Sequence, residues 1–359
     1  MKPFPRFFFS LAVPVCSAVG FAAPPAAGPE LPPRPFHLEI HPALHWDLTL
    51  NQAHGRFRGV VYYAVPPDDP CQKIRSCQLY AETHEGRIEA TRVADGGPFK
   101  KPLLRLAIDT AEPFHVIAAV DVQFHDTVLK AGAPLDPAKP ILPGARPEYV
   151  DDGWPNERAR AWFKKWMTSH HLIRGPGEDA ADFAFRVLQF MQSHFRYVIP
   201  DNIPEHQAMV EKDPVMGDWH YTIETSTGEC LRISDTYCRV MRMNGIPARL
   251  VSGNFVGDDS GHHLRSLIHL PDVGWVPVEA TAAVSSPRKP PIQFFGTWGG
   301  SYLAGNRNID FELPGPKGKG SIWTLDSLAF GSADGKWDFP TPVFVAKPLP
   351  PVGVAAGAN

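Results

Sequence analysis

The first third of the chain alternates between apolar and polar positions over short stretches that turn residues separate. Clear examples are FHLEI at 36–40, GVVYYAV at 59–65, LLRLAI at 103–108 and HVIAAVDVQF at 115–124. Runs of this length, rich in β-branched and aromatic residues, are typical of β-strands. The pattern therefore predicts an all-β, sandwich-like domain over 36–130.

The hydrophobic pattern changes to a helical period further along the chain. Residues 158–167 and 179–196 are predicted to be helices, and the second has an apolar stripe at helical spacing. The stripe consists of Phe183, Val187, Leu188, Met191 and Phe195. We expect this stripe to face a hydrophobic core. The segment from 197 through 221 begins with a proline break and is predicted to be a long loop.

Proline divides the chain into segments. The protein has 359 residues, of which 39 are proline, about twice the usual frequency of roughly 5%. Many of these prolines lie in a predicted leader at 23–35, a linker at 131–157 and an extended Pro/Gly-rich tail at 314–359. A second domain is then left between linker and tail, at 158–313.

The first 22 residues have the pattern of an export signal. Lys2 and Arg6 precede an apolar run, and small residues follow it up to Ala22. This order is typical of a secretory signal peptide, which predicts a secreted or periplasmic protein. The alternative is a membrane anchor, but the run is short and Pro14 interrupts it. We expect no stable membrane span in the mature chain.

Composition narrows the possible partners. Apolar residues make up 43% of the chain and charged residues 20%, which is enough to form a sizeable core. The formal net charge is −3. Because nucleic-acid binding relies on excess positive charge, we do not expect a nucleic-acid partner.

Two of the five cysteines lie close together in the predicted β domain. Cys71 and Cys77 flank a short stretch that we interpret as a loop. In an oxidising compartment this spacing predicts a disulfide. The alternative is a pair of free thiols.

A third cysteine, Cys230, begins a predicted helix. Ser226 and Glu229 have the spacing of a capping box, and an Asn-Gly pair ending at Gly245 is a stop signal. Cys230 is therefore predicted in the first turn, where unpaired N–H groups and the helix dipole stabilise a thiolate. Gly228 leaves room beside the sulfur. Cys238, in the middle of the same helix, is expected to be a buried structural residue.

A base and an acid for this thiol are predicted on a hairpin that follows the helix. One strand begins at His262 and His263, and the other includes Glu279. Cross-strand neighbours on one face of a hairpin lie close together. Cys230, a histidine and a carboxylate are therefore expected to converge, as nucleophilic catalysis requires.

The ordered set of motifs resembles the transglutaminase-like superfamily, cysteine enzymes with a papain-like fold. The matching elements are GEC at 228–230, GIPAR at 245–249, His263, and WVPVEAT at 275–281. HFRY at 194–197 and the segment 295–313 extend the likeness to about 158–313. His263 fits better than His262 because it lies sixteen residues before Glu279. The resemblance implies an α+β core in which a helix bearing the cysteine packs on an antiparallel sheet.

The resemblance also implies a mechanism. Cys230 would attack a carboxamide or peptide carbonyl of a protein or peptide, a cell-envelope one among the candidates, with His263 as base and Glu279 orienting it. Hydrolysis and acyl transfer both remain open, and no metal or organic cofactor is required. Candidates for contacting the substrate or the oxyanion are Trp219, His220, Tyr221, Gly228 and Trp275.

Two positions depart from the family pattern. Glu279 stands where aspartate is usual, and Arg265 stands where an aromatic residue usually follows the histidine by two. These changes keep a second hypothesis open. In it the domain is catalytically inactive and binds a polypeptide or a glycan.

Overall fold

The computed structural model describes a strand-rich N-terminal part followed by a mixed helix and strand part. The described residues are 34–41, 45–46, 57–68, 72–94, 102–125, 127–128, 156–200, 203–213, 216–256, 262–270, 274–298, 302–306, 310–312, 321–323, 328–332 and 343–349. The predicted signal peptide at 1–22, most of the leader and nearly all of the linker lie outside these residues. Within the described ranges, no helix combines the length and the apolar character needed to cross a membrane.

Strands dominate the N-terminal part because its apolar positions alternate. They are β1 (Arg34–His41), β2 (His45–Trp46), β3 (Phe57–Ala64), β4 (Gln72–Thr83), β5 (Gly86–Glu89), β6 (Thr91–Ala94), β7 (Pro102–Thr110), β8 (Phe114–Phe124) and β9 (Thr127–Val128).

Helices and strands alternate in the middle of the chain. In chain order they are α1 (Glu157–Ser169), α2 (Ala180–His194), β10 (Arg196–Tyr197), α3 (Pro204–Lys212), α4 (Gly217–Thr225), β11 (Thr227–Gly228), α5 (Cys230–Met243), β12 (Ala248–Phe255), β13 (His262–Leu270), β14 (Gly274–Val278), α6 (Ala280–Ser285), β15 (Thr297–Trp298) and β16 (Tyr302–Asn306). A 3₁₀ turn at Pro291–Phe294 precedes β15.

β17 (Asp310–Glu312) lies at the end of the predicted second domain. Three further strands lie in the predicted tail and correct it: β18 (Ser321–Trp323), β19 (Leu328–Ser332) and β20 (Val343–Pro348). β19 pairs with β3, and β20 pairs with β1. These pieces of the tail therefore complete the N-terminal sheets, because an apolar strand can pair with a sheet that is distant in sequence. The many prolines around them hid this in the sequence.

Two antiparallel sheets form the N-terminal domain. One has the order β20-β1-β8-β4-β5, with β2 also paired to β8, and the other has the order β19-β3-β7-β6. β8 is a central strand and is buried on both faces: Val116 and Val120 share a core with Leu106 of the second sheet, while Ile117 packs with Tyr80 on the other face. The predicted sandwich-like β domain is confirmed.

The first two helices form where the periodicity predicts them. Asp179 caps α2 by accepting the backbone N–H of Ala181 at 2.7 Å. The five residues of the apolar stripe are between 0% and 4% exposed. They belong to the main core of this part of the chain, as expected.

The predicted long loop through 221 is wrong, because it contains α3 and α4. Pro204, which reads as a helix breaker, is at the start of α3, where its missing N–H costs nothing. Gly217 allows the two short helices to meet, since a Cβ there would lie 2.1 Å from the carbonyl oxygen of Met209.

α5 packs on an antiparallel sheet of order β14-β13-β12-β16. Val240 of α5 and Leu264 and Ile268 of β13 are fully buried in the shared core. The hydroxyl of Tyr237 donates to the carbonyl of Ala184, which ties α5 to α2 at 2.9 Å. This arrangement confirms the predicted α+β core, with the cysteine-bearing helix on an antiparallel sheet.

Candidate active site

Cys230 is the first residue of α5, so its backbone N–H is among those that a helix leaves unpaired by its own carbonyls. The prediction that it lies in the first turn is confirmed. The predicted capping box is wrong, because Glu229 is the N-cap residue. Ser226 instead ends α4 in the left-handed conformation, with φ of 52°. An N-cap needs an extended backbone, which Glu229 has and Ser226 does not.

Gly228 is required by packing. A Cβ at this position would lie 2.9 Å from the Cβ of Arg232 and 3.5 Å from the methyl group of Thr222. Any larger residue would therefore push against the first turn of α5. The absence of a side chain at Gly228 therefore allows the chain to approach the first turn of α5 closely, and the space that it leaves near the sulfur stays a prediction.

His263, on β13, links the thiol to a carboxylate. Its Nε2 lies 3.0 Å from Oε2 of Glu279, and the thiol of Cys230 is near enough to act on the pKa of the imidazole. Because Nε2 is engaged by the carboxylate, Nδ1 is the ring nitrogen left for the thiol. Burial alone lowers the pKa of His263, but the hydrogen bonds to Cys230 and Glu279 and their charges outweigh it and raise that pKa to about 9.

Glu279 lies one residue past the end of β14, as the N-cap residue of α6. The predicted strand over 275–281 is thus too long, since it ends at Val278. The register that pairs Ser266 with Val278 continues to bring Glu279 opposite Arg265. Nε of Arg265 is 3.0 Å from Oε1 of Glu279, so the two carboxylate oxygens contact different partners.

Glu279 is only 8% exposed and has two basic side chains beside its carboxylate. Burial by itself raises the pKa of Glu279. The positive charge of Arg265 and the hydrogen bond and charge of His263 reverse that effect, so that its pKa is lowered overall. His263 and Glu279 are therefore in direct contact, and Arg265, which the sequence identified only as a departure, is a further partner of the carboxylate; the role of Cys230 with them stays a prediction.

The sequence model of one family matches the segment that contains all four residues. Residues 167–280 match the model described as "Transglutaminase-like superfamily". This segment is a transglutaminase-like domain. The match spans about a third of the chain and leaves the β-sandwich outside it.

Solved structures extend the likeness. A Cytophaga hutchinsonii protein, provisionally named a cysteine protease, is 11% identical, with a TM-score of 0.51 over 90% of this chain and 93% of its own. It shares the fold of both parts of the chain. The periplasmic domain of TgpA from Pseudomonas aeruginosa is 16% identical over 71% of this chain and 89% of its own, with a TM-score of 0.33. No curated protein sequence matches the chain significantly.

Aromatic rings hold the imidazole in the transglutaminase-like domain. Phe255 stacks on His263 with ring centroids 5.2 Å apart, and Tyr302 meets its edge at 6.3 Å. The hydroxyl of Tyr302 donates to the carbonyl oxygens of His263 and Val251, at 2.9 and 3.0 Å. Sequence reasoning missed both rings. Phe255 is the last residue of β12, the strand next to the one that carries His263. No local signal in the sequence indicates Tyr302, which lies 39 residues after His263.

Buried hydroxyl groups fasten α5 to the strand that carries His263. Ser234 donates to the carbonyl of Leu264 at 3.1 Å, and Ser266 donates to the carbonyl of Ser234 at 3.2 Å. Thr281, which follows Glu279 by two residues, donates to the carbonyl of Cys230 at 3.4 Å. These bonds fix the helix start relative to the base and the acid.

A second polar network anchors the residue before the thiol. Arg232 contacts Oε2 of Glu229 through Nη1 and Oδ1 of Asp218 through Nε, both at 2.5 Å. His206 contacts the same Asp218 oxygen through Nε2 at 2.7 Å. The network ties α3 and α4 to the N-cap of α5. Only the Glu-Arg spacing of three residues was visible in the sequence.

The other predicted contact residues pack against their neighbours. Trp219, His220 and Tyr221 lie in α4, where their rings meet Arg239, Trp162 and His206 respectively. Trp275 lies under the guanidinium of Arg249, at 3.9 Å, and against His269. These contacts explain how α4 and β14 pack, and a role at the oxyanion or the substrate stays a prediction.

Cys238 is fully buried, and burial raises its pKa to about 12. This burial fits the structural role expected for Cys238, whereas Cys230 at the start of α5 is only partly buried.

The loop expected between Cys71 and Cys77 is wrong, because β4 begins at Gln72 and includes Cys77. Cys71 lies outside the described residues. The disulfide therefore stays a prediction.

Proposed function

We propose that this protein is a cysteine enzyme that cleaves or transfers acyl groups at carboxamide or peptide bonds, through a Cys230–His263–Glu279 triad. The single observation that carries the proposal is the 3.0 Å contact of the His263 imidazole with the Glu279 carboxylate, beside a thiol at the first residue of α5 that acts on the same imidazole. A nucleophile, a base and a group that orients the base are the parts that such catalysis needs.

In the proposed first step, the thiolate of Cys230 attacks the carbonyl carbon of the substrate. A C–S bond forms while the carbonyl electron pair moves to oxygen, and the unpaired N–H of Cys230 is positioned to stabilise that oxyanion. The C–N bond then breaks, and the leaving nitrogen takes the proton held by His263. This leaves an acyl-thioester and a neutral imidazole.

In the proposed second step, His263 removes a proton from the acceptor. If water is the acceptor, the thioester is hydrolysed to a carboxylic acid. If an amine is the acceptor, a new amide forms. In both cases the thiol leaves as thiolate and His263 is again protonated.

We propose that the substrate is a protein or peptide outside the cytoplasm. The charged, apolar and small-residue order of residues 1–22 supports export. The net charge of −3 offers no excess of positive charge for a nucleic acid. A polypeptide of the cell envelope would meet an exported enzyme of this kind.

Selective alkylation tests the nucleophile. Limiting iodoacetamide near pH 6 should label Cys230 well before the buried Cys238, as measured by peptide mass spectrometry. Cys230→Ser is the blank for the label. Equal slow labelling of both thiols would contradict the enzyme and favour the non-catalytic binding module.

Amine incorporation separates the two reactions. A glutamine-containing peptide is incubated with the protein and a labelled primary amine. Incorporation of the amine indicates acyl transfer, whereas peptide cleavage or ammonia release without incorporation indicates hydrolysis. Cys230→Ser should abolish either reaction.

A further inference from the structure

Arg265 is a buried cation in direct contact with the proposed acid. Its side chain is 7% exposed, and its Nε lies 3.0 Å from Oε1 of Glu279. The other oxygen of the same carboxylate lies 3.0 Å from Nε2 of His263. The carboxylate therefore lies between an imidazole and a guanidinium, with one oxygen for each.

Arg265 and His263 share their surroundings as well as their carboxylate. They are two residues apart on β13, so their side chains leave the same face of the strand. Tyr302 lies 4.1 Å from the guanidinium carbon of Arg265 and also borders the imidazole. Phe255 lies 5.1 Å from that carbon and stacks on the imidazole. The same two aromatic rings thus border both basic side chains, and both side chains contact the same carboxylate.

The length of the glutamate side chain fits this arrangement. Glu279 is placed beyond the last paired residue of β14, and from there its carboxylate reaches both His263 and the cross-strand Arg265. A buried carboxylate with only a histidine partner is less stable in its charged form than one with a permanent cation beside it. Guanidinium remains charged at every relevant pH.

We infer that Arg265 is a positioning residue of the proposed active site, which holds Glu279 ionised and turned so that one oxygen serves His263. The inference rests on the proposed function and deepens it, because it assigns a role to a residue that acts through Glu279. The electrostatic effect of Arg265 agrees with this role, since its positive charge lowers the pKa of Glu279 and so favours the ionised carboxylate.

The test is the pH profile of Cys230 alkylation in the full chain carrying Arg265→Met. Without the guanidinium, Glu279 takes up a proton at higher pH, and the thiolate–imidazolium pair loses its support in acid. We expect alkylation near pH 5 to be about tenfold slower than in the unmodified protein, which corresponds to about one pKa unit. Near pH 8, where Glu279 is ionised in both proteins, the rates should agree within about threefold, roughly half of that free energy.

Two further variants separate charge from shape. Arg265→Lys keeps a positive charge and should retain most of the acid-side rate. Arg265→Gln removes the charge but keeps a polar group, so it should lose the acid-side rate, and it replaces the Met variant if that variant does not fold.

Arg239→Met is the matched control. Arg239 is also a partly buried arginine with a carboxylate partner, Asp235 at 3.0 Å, and an aromatic partner, Trp219 at 4.4 Å. It lies nine residues along α5 from Cys230 and should leave the shape of the profile unchanged.

The possible results distinguish this inference from the proposed function. If Cys230 is reactive but its profile is the same with and without the charge at 265, the inference is wrong and the proposed triad stands. An equal shift of the alkylation profile in Arg239→Met would also overturn the inference, because loss of any buried arginine would then have the same effect. If Cys230 is unreactive in the unmodified protein, the proposed function itself fails.

Discussion

Gln72 of the sandwich and Ala304 of β16 form two hydrogen bonds with each other. Nε2 of Gln72 donates to the carbonyl of Ala304, and the N–H of Ala304 donates to Oε1 of Gln72, both at 2.8 Å. Gln72 is 1% exposed. β16, which also contains Tyr302, is therefore held on one side by β12 and on the other by a sandwich side chain. The sandwich supports the strand whose tyrosine borders His263.

Replacing Gln72 by alanine should loosen this junction. Gln72→Ala leaves the buried N–H and carbonyl of Ala304 without these partners, which should cost about 2–4 kcal/mol of unfolding free energy. Urea denaturation measures the loss. The matched control is Gln78→Ala on the exposed side of β4, which should stay within about 0.5 kcal/mol. Equal effects of the two changes would show that the junction contributes little.

Gly253 should tolerate no side chain. It lies opposite His263 in the sheet, and a Cβ there would be 2.0 Å from the carbonyl oxygen of Leu303 and 2.8 Å from the ring of Tyr302. Gly253→Ala should therefore displace β16 and cost more than about 2 kcal/mol in urea denaturation. Gly175→Ala, whose Cβ would meet nothing closer than 3.8 Å, is the control. Similar stabilities of both variants would contradict the close approach.

Stability should fall as the pH rises above neutrality. The pKa of His263 is raised from 6.5 to about 9 in the folded protein. Its contribution is complete below the unfolded value of 6.5, where both states are protonated, and is lost as pH rises through about 9. Urea midpoints across this range should decline in the unmodified protein and decline less in His263→Gln. Parallel curves for the two proteins would contradict the raised pKa.

Neutralising the acid should slow the thiol. Glu279→Gln keeps the size of the side chain but removes the charge that supports the imidazolium of His263. Alkylation of Cys230 near pH 6 should fall by about tenfold or more, equivalent to at least one pKa unit. Glu224→Gln, on an exposed position of α4, should leave the rate unchanged. An unchanged rate in Glu279→Gln would remove the carboxylate from the account.

Local patterns predicted the elements that carry the triad. The helical stripe of α2, the glycine stop after α5 and the hairpin that carries His263 all depend on neighbours in sequence. The contact between His263 and Glu279 could also be predicted from the sequence, because the register of the hairpin brings the two residues together. Arg265 and Glu279 are cross-strand neighbours in the same hairpin, so their contact could have been predicted once the register was assigned.

Contacts between distant segments could not be predicted in this way. Tyr302 reaches His263 from a strand on the far side of β12, and Gln72 reaches Ala304 across 232 positions. The tail strands β19 and β20 pair with β3 and β1, and proline-rich flanks concealed them. α3 was missed because a proline at the first helical position gives the same sequence signal as a break.

The central claim is that Cys230 is the nucleophile and that His263, supported by Glu279, is its base. The rate of Cys230 alkylation by limiting iodoacetamide near pH 6, measured by peptide mass spectrometry with Cys230→Ser as the blank, tests this directly. The account predicts that His263→Ala slows this alkylation by about tenfold or more, which is about 1.4 kcal/mol. An unchanged rate in His263→Ala would contradict it.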